Sequence, residues 1–262
     1  MMVAAGVSHA NQLQDIKAKG VLTCATLGTS KPFSFQDNDN NRLAGYDVDI
    51  CKLVADKLGV KVEYRLVSVP SRVPELNEGH VDIIAANLGY TPVRAEQINF
   101  SDQYFASRQM LMVRKSSNYQ TVEQLSHARI GSAQGSTSEQ AIKKFLPEAK
   151  VTGFMGGSQA YLALQQKKVE AQFASEASLL RAIDQTPPSS PLVLINQPLF
   201  VEPWGLGLRK NEPEMLNAVN AALHDAEKSG EFDAIFNKWF GPDTRYKMTR
   251  TFKVEPITHA GI

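Results

Sequence analysis

The sequence predicts an α/β protein built on a mostly parallel sheet. Short β-branched runs alternate with helical stretches along most of the chain, and that order builds parallel sheets through crossover helices. Small polar or glycine-containing turns follow several of the strands and open the next helix. A length of 262 residues with a formal charge of +1 leaves ample material for a core, in one large domain or two small ones.

Residues 11–20 read as a short helix stopped at Gly20, and 21–26 as the first strand. A loop over 28–35 turns at Pro32, and the polar run at 37–41 reads as a hairpin tip. Asp47 is the expected N-cap of a helix to Leu58, with Ile50, Leu53, Val54 and Leu58 as its apolar stripe. A strand over 60–67 and a short helix over 72–78 follow.

Residues 81–105 form the stretch that organises the rest. Residues 81–86 read as a buried strand, and 87–92 as a turn in which Gly89 is free to take φ > 0 and Pro92 opens a helix. Arg94 falls in the first turn of that helix, where the dipole disfavours a cation. An anion held there by Arg94 and by free N–H groups of the turn explains it; taken alone, a solvated arginine on a surface helix is the better reading.

The second part of the chain repeats the alternation. Residues 100–114 begin as a loop and become an extended apolar segment, and 121–125 fit a small helix capped by Thr121. A strand at 128–132 leads into Gln134-Gly135-Ser136-Thr137-Ser138, where small hydroxyl residues fit an N-cap or an anion nest. Strands at 151–154 and 169–173 flank a helix at 158–166, and Ser175 and Glu176 lie at the carboxyl end of the last strand. Residues 192–195 and 197–200 are extended, and the strand at 205–209 is assigned back to the first part. The long helix over 212–230 turns Leu216, Val219, Ala222, Leu223 and Ala226 inward; the next, over 231–239, turns in Phe232, Ile235 and Trp239. Residues 246–257 are extended.

In open α/β sheets ligands bind beyond the carboxyl ends of the strands, so the loops at 27–33, 69–72 and 87–94 are candidate site loops. Near-neutral charge without a basic run argues against nucleic acid as the main partner. No apolar stretch approaches the ~18 residues of a membrane span. The histidines are scattered and neither cysteine has a ligand-like neighbour, so no metal is implied; there is no phosphate loop and no nucleophile elbow, so no cofactor is implied either. Cys24, in the first strand, and Cys51, on the helix face that should pack on it, either pair in an oxidising compartment or stay as buried thiols. Residues 1–10 end in Ser8-His9-Ala10, which fits a signal-cleavage site, and read as the remnant of a secretion signal or as an ordinary leader.

The pattern Thr91-Pro92-x-Arg94-Ala95 followed by Phe100-Ser101-Asp102-x-Tyr104 resembles the cluster 3 periplasmic solute-binding proteins of ABC amino-acid importers. Gly45 to Ile50, Gln134 to Ser138 and Gly205 to Lys210 resemble further landmarks of that family, in its order. Ser71-Arg72-Val73-Pro74, Glu202-Pro203-Trp204-Gly205 and Lys238-Trp239-Phe240 are similar to its glutamate/aspartate-binding branch. The resemblance implies the type II two-lobe fold: residues 11–106 plus 203–262 form one lobe, 109–198 form a second inserted into it, and the hinge lies near 106–109 and 196–203. It implies a periplasmic, monomeric protein, its signal removed, that closes on a polar amino acid or related small carboxylate and hands it to a membrane permease.

By the same resemblance Arg94 forks onto the ligand's α-carboxylate, helped by Asn87, Gly89 and Thr91 and by the helix start at Ser136 and Thr137. Arg72 is expected to face the distal part of the ligand. Ser175 stands where many relatives carry the aspartate that takes the ammonium; Glu176 is the substitute offered by the sequence. Ser30 stands where an aromatic lid is common, and Phe33, Tyr90 or Phe173 would supply a stacking face instead. Leu27 and Gly157 stand where the glutamate/aspartate branch carries Arg and His, which implies a roomier, less strict pocket. A cyclohexadienyl-dehydratase-like enzyme, with Glu176 as general acid, is the alternative on the same fold, and a detached sensor domain is a third reading.

Overall fold

The computed structural model describes residues 11–37 and 42–259. The signal remnant and the tip of the polar turn fall outside them. In chain order the elements are α1 (Gln12–Lys19), β1 (Val21–Thr26), β2 (Thr29–Ser30), β3 (Ser34–Gln36), β4 (Leu43–Ala44), α2 (Tyr46–Leu58), β5 (Lys61–Leu66), α3 (Arg72–Asn77), β6 (Ile83–Ile84), α4 (Pro92–Gln97) and β7 (Asn99–Arg114). After two short 3₁₀ turns come β8 (Arg129–Ala133), α5 (Thr137–Phe145), β9 (Lys150–Phe154), α6 (Gly157–Gln165), β10 (Ala171–Ser175), α7 (Glu176–Gln185), β11 (Leu192–Leu194), β12 (Phe200–Leu208), α8 (Pro213–Ser229) and α9 (Glu231–Phe240).

One continuous sheet runs β5-β1-β6-β12-β7-β10-β8-β9, with β11 beside β7. Its two ends are parallel: β1 pairs with β5 and β6, and β8 with β9 and β10. Its middle is not. The long strands β7 and β12 pair antiparallel with each other, β12 pairs antiparallel with β6, and β7 with β10 and β11. The sheet is therefore more mixed than the alternation predicts, because the chain crosses from one end to the other on β7 and returns on β12.

Each end has its own core. Leu22, Ile50, Leu53, Ile83, Phe105, Trp204, Leu223 and Phe236 belong to a large cluster under α2, α8 and α9. Leu111, Ile130, Ala141, Ile142 and Phe173 form another under α5. On α9 the fully buried positions are Phe232, Phe236 and Phe240, one step round from the expected stripe, while Ile235 and Trp239 are partly buried. Trp239 lies at the margin because its Nε1 donates to Asp49 Oδ2 at 2.7 Å.

Several local expectations change. Gly45, not Asp47, is the N-cap of α2; its φ of 140° and the backbone packed at its Cα admit no side chain. Asp47 is buried inside the first turn of α2 for another purpose, described below. The central strand is counted only over Ile83–Ile84, although Ala85 N–H continues the ladder to Ala25 O at 3.0 Å. The two extended pieces before and after Glu202 are a single strand, β12. Residues 246–257 form no strand, but Phe252 and Val254 are buried against the first core and Gln103 N–H donates to Glu255 O. Cys24 and Cys51 are joined as a disulfide that ties β1 to α2.

Candidate ligand-binding cleft

The parallel strands at both ends of the sheet point their carboxyl ends at one cleft of about 1060 Å³, open mouth included. From the first end come Leu27 and Ser30 after β1, Ser68 and Arg72 after β5, and Asn87 after β6. From the other come Ser136 and Thr137 after β8, Gly157 after β9, and Ser175 and Ser178 around the end of β10. Gln109, Glu202 and Trp204, from the two crossing strands, form the floor.

The turn after β6 is clamped from two sides. Asn87 has φ 52°, a left-handed conformation that a short polar side chain tolerates. Its N–H donates to Asp47 Oδ2 at 3.1 Å, and its carbonyl accepts from Arg72 Nη1 at 2.7 Å. Arg72 also donates to Ala86 O at 2.7 Å and, through Nε, to Val69 O at 2.9 Å. Three of its donors thus hold backbone, and only the Nη2 pair remains for anything else. Burial lowers the Arg72 pKa to about 9, with the nearby Arg94 cation as a second cause. Asp47 accepts from Tyr104 Oη at 2.9 Å, and burial raises its pKa to about 7.

Arg94 sits one layer behind the cleft surface, 8% exposed. Thr91 caps its helix, accepting from Arg94 N–H at 3.1 Å. Its Nη1 donates to Gly89 O and its Nη2 to Gly135 O, both at 2.7 Å. The second bond spans the cleft, since Gly135 lies between β8 and α5. Glu202 is the counter-charge: buried on β12, it receives hydrogen bonds from Trp204 Nε1 at 2.6 Å and Gln109 Nε2 at 3.1 Å, and it feels the nearby Thr137 hydroxyl and the Arg94 and Arg72 cations. Burial nevertheless raises its pKa. Its side chain lies on Gly89, where a Cβ would meet Glu202 Oε1 at 1.8 Å.

The structure thus gathers Ser30, Arg72, Asn87, Ser136, Thr137 and Ser175 at the cleft surface. Gly89, Thr91 and Arg94 form the layer beneath. Ser136 caps α5, accepting from Glu139 N–H at 3.1 Å. Phe33 lies away from the cleft: it is fully buried among Tyr46, Phe105, Trp204 and Phe240. Tyr90 packs on Phe100, whereas Phe173 does line the cleft. Glu176 turns away and pairs with Arg108 at 3.2 Å, and only Ser175 of the two faces the cleft. Gln109, Gln172, Arg181 and Glu202 are cleft residues that sequence reasoning left without a role. Glu202 stood inside a recognised motif; the others sit in ordinary strands or an amphipathic helix and carry no local signal.

The family model for bacterial extracellular solute-binding proteins, family 3, matches residues 22–242. The chain belongs to that family. It is 30% identical over 240 residues to the ABC transporter glutamine-binding protein of Bacillus subtilis strain 168, covering 90% of this chain and 87% of the relative. It is 31% identical over 258 residues to the L-cystine-binding protein TcyA of the same organism, covering 92% and 93%. Among solved structures, an ancestral arginine-binding protein bound to arginine superposes with a TM-score of 0.80 at 35% identity, covering 85% of this chain and 99% of that one. The chain is a solute-binding protein and not an enzyme, and its fold is the type II fold of amino-acid-binding proteins. No described helix is long and apolar enough to cross a membrane.

Proposed function

We propose that this protein captures a polar amino acid or related small carboxylate between two lobes and delivers it to the membrane permease of an ABC importer. It acts as a monomer in the periplasm, after removal of its signal. The lobes are residues 11–106 plus 203–262, and 109–198. Support for a hinge near 106–109 and 196–203 comes from the pairing of β7 and β12, where Ser107 faces Glu202 and Gln109 faces Phe200. Two adjacent crossings let one end of the sheet swing against the other.

The observation that carries the reading is a mismatch of donors and acceptors in the cleft. Six side-chain atoms among the described residues are buried without a hydrogen-bond partner, and three belong to cleft residues: Asn87 Oδ1, Gln172 Oε1 and Glu202 Oε1. Each such acceptor costs roughly 1–3 kcal/mol while unmet. An ammonium brings three donors. Guanidinium donors of Arg94 and Arg72 beyond those already committed, with the first-turn N–H groups of α5, suit a carboxylate. Together these are complements of an α-amino acid. Glu202 and Gln172 then take over the ammonium from the aspartate that Ser175 replaces. Isothermal calorimetry with the common amino acids tests this: at least one should bind in the micromolar range or tighter. Absence of heat with every one would reject the reading.

A further inference from the structure

The wall of the cleft built by α7 presents a cation without an anion. Arg181 lines the cleft there, half-buried, one helical turn from Ser178, which also lines it. Among the described residues no carboxylate pairs with it. Asp184, one turn on, is paired with Arg245 instead. Tyr246, whose hydroxyl is buried without a partner, lies close enough to feel the Arg181 charge. Ser178 Oγ accepts from Ser175 Oγ at 2.8 Å, which leaves its own hydrogen to donate. The remaining cleft cations are Arg72, with three donors on backbone and its Nη2 pair assigned above to the α-carboxylate, and the exposed Lys31, which lies over the Phe35 ring. Glu202 is the one carboxylate lining the cleft among the described residues, and it is already bound to Trp204 and Gln109.

We infer that Arg181 is the specificity-determining residue and receives a second carboxylate at the end of the ligand's side chain. The inference rests on the amino-acid reading above and deepens it. A half-buried guanidinium is poorly hydrated and offers a planar fork that matches a carboxylate in two bonds. Burial already lowers its pKa, and a carboxylate would relieve that cost. Ser178 adds a neutral donor to the same group. The ligand class is therefore an amino acid whose side chain ends in a carboxylate, short as in aspartate or glutamate, or longer as in 2-aminoadipate. A side chain ending in a guanidinium or ammonium meets like charge and no acid to accept it, so arginine and lysine are excluded by repulsion.

The test is calorimetry on the full chain with glutamate, aspartate, 2-aminoadipate, glutamine, arginine and lysine, repeated on Arg181→Gln and Arg181→Lys. A dicarboxylic ligand should bind at least about tenfold tighter than glutamine and arginine, since charge-assisted pairs exceed neutral ones. The arms separate a short from a long second carboxylate. Arg181→Gln should erase that preference, and Arg181→Lys should restore part of it. Melting curves of both variants exclude misfolding. Tighter binding of arginine or glutamine, or an equal loss for all ligands in Arg181→Gln, overturns this assignment and leaves the amino-acid reading standing. No binding by any amino acid overturns both.

Discussion

Arg94 and Gly135 join the two sides of the cleft: Arg94 Nη2 donates to the Gly135 carbonyl at 2.7 Å while Nη1 donates to Gly89 O at 2.7 Å on its own side. One buried guanidinium thus touches both walls, and Glu202, on the strand that returns between them, supplies the counter-charge.

Arg94→Ala is expected to abolish ligand binding. It removes at least two charge-assisted bonds of roughly 1.5–3 kcal/mol each, so affinity should fall by about two orders of magnitude or more. Arg94→Lys keeps the charge but loses the fork, and should still lose much of the affinity. Calorimetry decides, and binding by Arg94→Ala within a few-fold of wild type would show that the anchor lies elsewhere.

Asp47 gives a pH signature. Its pKa is raised by burial from 3.8 to about 7, so the folded state holds a proton that the unfolded state releases above about pH 4. This group's contribution to stability is therefore largest at low pH, falls as pH rises from about 4 to about 7, and is flat above. Glu202 and Glu176, also raised by burial, act in the same direction. Denaturation of Asp47→Asn across this range should give a shallower slope than wild type. Parallel slopes would mean that Asp47 does not titrate there.

Gly89→Ala should disturb the proposed hinge and the site together. The added Cβ would lie 1.8 Å from Glu202 Oε1 and 2.1 Å from its carboxyl carbon. Glu202 must then leave Gly89, its bonds to Trp204 and Gln109 strained with it. A loss of about 1–3 kcal/mol in stability is expected from such overpacking, with weaker ligand binding. Thermal melts and calorimetry that match wild type would refute the packing of Glu202 on Gly89.

The Cys24–Cys51 bridge closes a loop of sequence separation 27. Cys51→Ser should cost about 2–4 kcal/mol in chemical denaturation. Alkylation without reductant, followed by mass spectrometry, should leave both cysteines unmodified in protein from an oxidising compartment; two alkylated thiols would reject the bridge.

Much of this was legible in the residues. Thr91, Pro92 and Arg94 announce a capped helix start at a strand's carboxyl end, and the structure puts them under the cleft. Ser136 announces the facing helix start for the same reason. These are local signals, fixed by backbone hydrogen bonding. The burial of Phe33 is not legible locally, because it depends on Tyr46, Phe105 and Phe240, which come from other parts of the chain. Glu176 was read as a cleft carboxylate because it adjoins Ser175, but consecutive side chains at a strand end diverge, and Arg108 holds it elsewhere. Asp47 was read as a cap, whereas its partners, Tyr104 and the Asn87 N–H, lie 57 and 40 residues away. Glu202 and Arg181 gain meaning only from which groups around them lack partners, and a sequence does not carry that.

The most direct measurement is small-angle scattering during titration with the amino acid that calorimetry selects, followed by analysis of the recovered ligand. A ligand touched by both walls favours the closed arrangement by its differential contacts. The radius of gyration should fall to a plateau at one equivalent, and the amino acid should be recovered unchanged. An unchanged radius at saturation, or steady consumption of the ligand, would contradict capture by closure.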